Sequence, residues 1–259
     1  MPVLERPGGV RIQYDVHGPA DAYPLILFAP GGMHSVARLW SERPGEPGVP
    51  MPWIDPRQVL SDQFKVISMD QRNAGGSSGP VGPGDGWQTY SDDQIALLDD
   101  LNRSTTHAMG GCIGSSYALA LCERAPGRVT AAVLQNPIGL TADNRRLFIE
   151  MFDQWASGLR AKGIGASEDT VSAFRDRMFG GDFVFSVDRD FVRQCTVPML
   201  ILAGNDEFHP TAAAEEIAEL APYAELVYKW AGPERHSETA ERISSFLSEH
   251  TPKGHTPTG

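Results

Sequence analysis

The sequence predicts one α/β domain whose central sheet is mostly parallel and flanked by helices. Two observations carry that expectation. Short apolar runs recur along the 259 residues, separated by helical patterns. Several of those runs are apolar throughout rather than alternately, as strands are when both sheet faces are covered.

Residues 10–16 alternate and read as an outer strand. The run 24–30 (PLILFAP) is a buried strand that ends in Gly31-Gly32, and 64–70 (FKVISMD) is a second. Residues 105–110 form a weaker strand; 129–135, 198–203 and 224–230 complete the set. Helices are expected between them. Residues 92–102 place Ile95, Leu97, Leu98 and Leu101 at helical spacing, 115–123 is rich in Ala and Leu, and 211–220 and 238–248 are amphipathic. Residues 42–56 and 77–86 are long Pro- and Gly-rich loops.

The segment 140–193 breaks the strand rhythm with helical pattern and carries seven of the eleven Phe residues. It reads as a small helical cap over a pocket, or as a helical subdomain needing its own core. The organisation is then a core of 1–139 and 194–250, a cap insert of 140–193, and a disordered tail of 251–259.

Composition excludes several function classes. The net charge of -11 repels nucleic acid and anionic membranes, so neither is an expected partner. No apolar run approaches the ~18 residues that span a bilayer. The N-terminus lacks the apolar stretch of a signal peptide, and three cysteines without a CxxC pair suit a reducing compartment; a cytoplasmic location is expected. Neither a metal nor an organic cofactor is expected, only a small-molecule substrate, and the oligomeric state stays open.

Chemistry concentrates at four places. Gly110-Gly111-Cys112-Ile113-Gly114 follows a predicted strand and opens a predicted helix. In that context a Gly-x-nucleophile-x-Gly run forms a sharp elbow that lifts the central side chain over the sheet edge. The helix N-terminus behind it favours a thiolate and, later, an oxyanion. The turn at Pro30-Gly31-Gly32-Met33-His34 can aim amides into the same cleft, so Gly32, Met33 and Ile113 are the candidate oxyanion donors. Asp206, with Glu207 as competitor, ends the 198–203 strand and can orient a histidine. His236 lies between the last strand and last helix and is the candidate base, because Cys112, Asp206 and His236 then follow in the order nucleophile, acid, histidine. His34, Phe148, Phe152 and Trp155 are possible substrate contacts. His17, His107 and His209 read as structural or solvated.

With these landmarks, and with Asp70-Gln71-Arg72-Asn73-Ala74-Gly75-Gly76-Ser77 similar to a D-x-R-G-x-G-x-S turn, the chain resembles the α/β-hydrolase superfamily from about residue 8 to 250. Asn73 replaces that turn's first glycine. Cysteine replaces the usual serine at the elbow, as in dienelactone hydrolases, or stands as a substitute for a native serine. The resemblance implies a Cys-His-Asp hydrolase of esters, lactones or thioesters working through a thioester. An acyltransferase and a noncatalytic binding protein on the same fold are the alternatives. No early G-x-G-x-x-G, HExxH or Walker sequence points elsewhere.

Overall fold

The computed structural model describes residues 1–43, 46, 49 and 51–254. Eight strands form one sheet in the order β1-β2-β4-β3-β5-β6-β7-β8. They are β1 Val3–Arg6, β2 Val10–His17, β3 Pro24–Phe28, β4 Lys65–Met69, β5 Thr106–Gly111, β6 Val129–Gln135, β7 Met199–Leu202 and β8 Ala224–Val227. The pairs β1–β2 and β2–β4 are antiparallel; every pairing from β4 onward is parallel. All residues of β3 and β5 are buried, which is why those runs carry no polar alternation.

Among the described residues eight α-helices lie between and after the strands: α1 Pro56–Val59, α2 Trp87–Asp100, α3 Ile113–Arg124, α4 Arg145–Ala161, α5 Glu168–Phe179, α6 Arg189–Gln194, α7 Thr211–Leu220 and α8 His236–Glu249. One face of the sheet, with Ile26, Phe28 and Leu134, packs on α2 and α3; the other, with Leu25, Leu27 and Val133, packs on α8 through Ile243 and Leu247.

The sequence reading needs two adjustments. Strand β1 (VLER) is a four-residue edge strand with too short an apolar pattern to announce itself. Helix α2 starts at Trp87, five residues before the expected 92, because its buried face is built from Trp87, Tyr90, Ser91 and Gln94 as well as Leu97 and Leu98. Aromatic and polar residues at helical spacing hid that face from an aliphatic count.

The segment 140–193 contains α4, α5 and α6. Its rings do not form a separate core: Phe148, Phe152, Trp155, Phe174 and Phe179 join the apolar cluster of the sheet face below. Phe152 lies edge-on to Phe174 (centroids 5.3 Å apart), and Trp155 Nε1 donates to Asn73 O at 3.2 Å. Of the expected disordered tail, 255–259 lie outside the described residues. Thr251 is anchored, its Oγ1 at 2.9 Å from His107 Nε2 and donating to Leu247 O at 3.0 Å. Pro44, Gly45, Pro47, Gly48 and Pro50 of the 42–56 loop also lie outside the described residues. Its end is tied down: Trp53 Nε1 donates to Trp40 O at 3.1 Å, and Pro52 O accepts from Gly232 N at 2.7 Å.

Candidate active site

Cys112 stands between the end of β5 and the first residue of α3 with φ 57° and ψ -124°, a conformation costly for any residue bearing a Cβ. The surrounding chain enforces it. Cys112 N donates to Gln135 O at 3.0 Å, and Ser115 Oγ is within 2.9 Å of Gly110 O and 3.1 Å of Gln135 O. The two outer glycines are required by space: a Cβ on Gly110 would lie 2.0 Å from Gly114 O, and one on Gly114 would lie 2.0 Å from Phe28 O. The result is a half-buried thiol held at the N-terminus of a twelve-residue helix.

The histidine that meets this thiol is His209. Asp206 and His209 share the turn after β7, three residues apart. His209 Nδ1 is 2.8 Å from both Asp206 carboxylate oxygens, and Asp206 Oδ1 also accepts from the amides of Phe208 (2.9 Å) and His209 (3.0 Å). Nδ1 is thereby engaged, which turns Nε2 toward Cys112. Nε2 is buried and makes no other hydrogen bond; the thiol contact is close enough to couple the two titrations but falls short of full hydrogen-bond geometry. Such contacts are commonly loose before substrate binds.

The electrostatics follow from that arrangement. Burial alone would raise the Cys112 thiol. The positive charge of His209, its close contact with the sulfur, and the amides of Gly31 and Ile113 together hold it below its ordinary 9.0. Burial would lower His209; the Cys112 thiolate and Asp206 raise it to about 10. Asp206 is lowered to about 2, foremost by its bond to His209. The arrangement therefore favours the carboxylate of Asp206, the protonated ring of His209 and the ionised form of Cys112.

The structure does not bring His236 into this set. His236 opens α8, and its Nε2 is buried without a partner. The β8–α8 connection instead runs through Gly232 and a short turn at Pro233–Arg235, tied to Pro52 O. Sequence order favoured His236, while His209 read as structural or solvated. The overlooked signal was spacing: an acid and an imidazole three residues apart on one turn can bond directly. Glu207 is exposed, and the carboxylate facing His209 is that of Asp206.

Around the thiol, Gly31 has φ 116° and begins the turn Gly32–His34, whose first used amide is His34 N, to Gly31 O at 3.1 Å. The amides of Gly32 and Met33 precede it at the open end of the turn. The amide donors that touch Cys112 itself belong to Gly31 and Ile113. Met151 of α4 covers the turn so closely that a Cβ on Gly32 would lie 2.1 Å from its Sδ. His34 keeps solvent contact, and partial desolvation together with the Lys162 charge lowers its pKa. Phe148 approaches the site through Phe208, edge-on with centroids 5.4 Å apart, whereas Phe152 and Trp155 are fully packed.

The Asp70–Ser77 turn is scaffold. Asp70 accepts from the amides of Ala37 and Gly76, both at 2.9 Å. Arg72 grips buried Asp93 with two bonds of 2.8 and 2.7 Å, and Arg6 reaches the same carboxylate. Among the described residues no cluster could hold a metal ion, and no helix is long and apolar enough to cross a membrane.

Comparison with known proteins gives the same architecture. Residues 24–174 match the family model described as "alpha/beta hydrolase fold". The chain is 29% identical over 125 residues to the Agrobacterium fabrum protein named "Putative carbamate hydrolase RutD", a match covering 48% of this chain and 43% of that protein. Less than half the length of that relative is thus spanned. The meta-cleavage product hydrolase CumD of Pseudomonas fluorescens IP01 superposes with a TM-score of 0.68 at 20% identity, covering 94% of this chain and 96% of CumD. The enol-lactonase of Burkholderia xenovorans LB400 superposes with a TM-score of 0.65 at 19% identity, over 95% of this chain and 100% of that one.

Proposed function

The chain belongs to the α/β-hydrolase family, and from that premise we propose that it hydrolyses a small ester, lactone or thioester through a covalent thioester on Cys112. The observation that carries this is the Cys112–His209–Asp206 constellation at the elbow, with the amides of Gly31 and Ile113 directed at the sulfur. The names of the relatives, a carbamate hydrolase and an enol-lactonase among them, are consistent with carbonyl hydrolysis.

In this reading the Cys112 thiolate attacks the substrate carbonyl carbon. The developing oxyanion is held by the Ile113 amide and the glycine turn at 31–33. The carbon–heteroatom bond then breaks, and the leaving group takes the proton of His209. Neutral His209 next accepts a proton from water, which attacks the thioester, and the thiolate departs. Asp206 holds the imidazole tautomer and stabilises its positive charge. A thiolate leaves a tetrahedral intermediate readily, so forward collapse needs a good leaving group; activated esters, enol lactones and thioesters suit this site better than amides. Residues 140–193 act as the cap, with Met151 over Gly32 and Phe148 behind Phe208.

The test is a panel of p-nitrophenyl esters, lactones and acyl thioesters given to the parent, Cys112→Ala, His209→Asn and His236→Asn, with intact-mass spectrometry for an acyl adduct. Turnover and adduct should both vanish in Cys112→Ala. Turnover should fall at least about 100-fold in His209→Asn, the usual worth of a positioned acid–base, and stay near parental in His236→Asn. Unchanged turnover in Cys112→Ala would overturn the proposal. A stable adduct without turnover would move it to acyl transfer.

A further inference from the structure

Asp206 has a second side. Although both its oxygens reach His209 Nδ1, its side chain remains 60% exposed. That exposed side lines a cleft of about 420 Å³ between the ends of β7 and β8 and the 52–53 segment. Trp53, Trp230, Tyr228 and Asn136 are among its other lining residues. Asn136 is 8% exposed, and its Oδ1 is buried without a partner. Its backbone is locked, with φ 36° and its amide donating to Leu202 O at 2.7 Å, so the side chain is presented on a rigid base.

The polar atoms of the three aromatic side chains already have partners. Trp230 Nε1 donates to Ala203 O at 2.7 Å, Trp53 Nε1 to Trp40 O at 3.1 Å, and Tyr228 Oη to Glu215 at 3.0 Å. No lysine, arginine or histidine is among the lining residues. The cleft therefore combines aromatic side chains, a carboxylate whose Oδ2 meets only His209, and a buried amide with an unpartnered Oδ1, and no basic side chain is among its lining residues.

We propose that this cleft binds the ammonium group of a small organic cation of the choline type. Aromatic faces attract a desolvated cation through the ring quadrupole, and a nearby carboxylate adds to that attraction. The site goes beyond the hydrolytic reading, since binding there needs neither Cys112 nor turnover.

The experiment titrates choline, and its uncharged isostere 3,3-dimethylbutan-1-ol, into full-length Cys112→Ala while following tryptophan fluorescence and heat. Choline should bind about ten-fold more tightly than the isostere, the range expected of a cation over indole faces. Tyr228→Leu, at an exposed ring that does not threaten folding, and Trp53→Leu should each weaken choline severalfold and leave the alcohol nearly unchanged. Equal binding of both compounds, or no binding of choline to tens of millimolar, would overturn the proposal. Hydrolysis by the parent is scored separately, so choline binding without turnover would count against the hydrolase reading alone.

Discussion

Replacing His209 by Asn is the sharpest perturbation of the site. In the folded protein His209 is raised from 6.5 to about 10. That rise corresponds to roughly 5 kcal/mol of preference for the protonated ring, supplied by the charge at Cys112 and by Asp206 against the cost of burial. Much of it returns to Cys112 as preference for the thiolate. An unperturbed thiol near 8.5 is only about 0.3% ionised at pH 6, and lowering by a paired imidazolium raises that fraction. Alkylation of Cys112 by iodoacetamide, followed by intact mass from pH 5 to 10, reads this directly. The parent should react through a plateau that extends well below pH 8. His209→Asn should lose at least about ten-fold in rate at pH 6, after allowance for the lower intrinsic nucleophilicity of a low-pKa thiolate, and should titrate above the parent, because burial is then opposed only by the Gly31 and Ile113 amides. His236→Asn should follow the parent. A parental profile centred near 9 and indifferent to His209, or one moved by His236→Asn instead, would refute the pairing.

Two other outcomes follow from the fold. Gly114→Ala would set a Cβ 2.0 Å from Phe28 O, backbone against backbone, so it should cost about 1–3 kcal/mol or more in a denaturant melt and disturb the elbow as well. His107 is buried between Thr130 Oγ1 and Thr251 Oγ1, both at 2.9 Å, and burial foremost lowers its pKa to about 3. Between pH 6.5 and about 3 the unfolded chain therefore binds a proton there that the folded chain refuses, so stability falls as pH drops through that window. His107→Gln should flatten the acid limb of a stability–pH curve by up to one proton, about 1.4 kcal/mol per pH unit; an unchanged slope would show that His107 titrates normally.

Much of the architecture was legible because it rests on local rules. Continuous apolarity marks a strand covered on both faces, so β3, β4 and β6 appear in the sequence nearly to the residue. The elbow is equally local: strand, Gly-x-Cys-x-Gly and helix are contiguous, and the contacts that exclude a Cβ at Gly110 and Gly114 lie at their expected place. Asp206 at the end of β7 follows from the same logic. Edge strand β1 and the aromatic first turns of α2 did not, because a four-residue pairing and a mixed polar–aromatic face leave little periodic signal.

Tertiary structure decided which histidine meets the thiol. Both His209 and His236 follow parallel strands in loops at the sheet's edge, and chain order alone favoured the later one. What separates them is direction. The Asp206 carboxylate accepts two amides of its own turn and so fixes the path of the chain through Phe208 to His209, leaving Nε2 toward Cys112. The later loop is pinned to Pro52 O through Gly232, and His236 enters α8 with its Nε2 unpartnered. The sequence by itself determined the buried strands and the elbow, and narrowed the acid to Asp206 or Glu207, because each is marked by residues adjacent in the chain. The pairing of Cys112 with His209, the Met151 cover on Gly32 and the aromatic cleft behind Asp206 depend on how distant segments pack, and only the folded chain sets that.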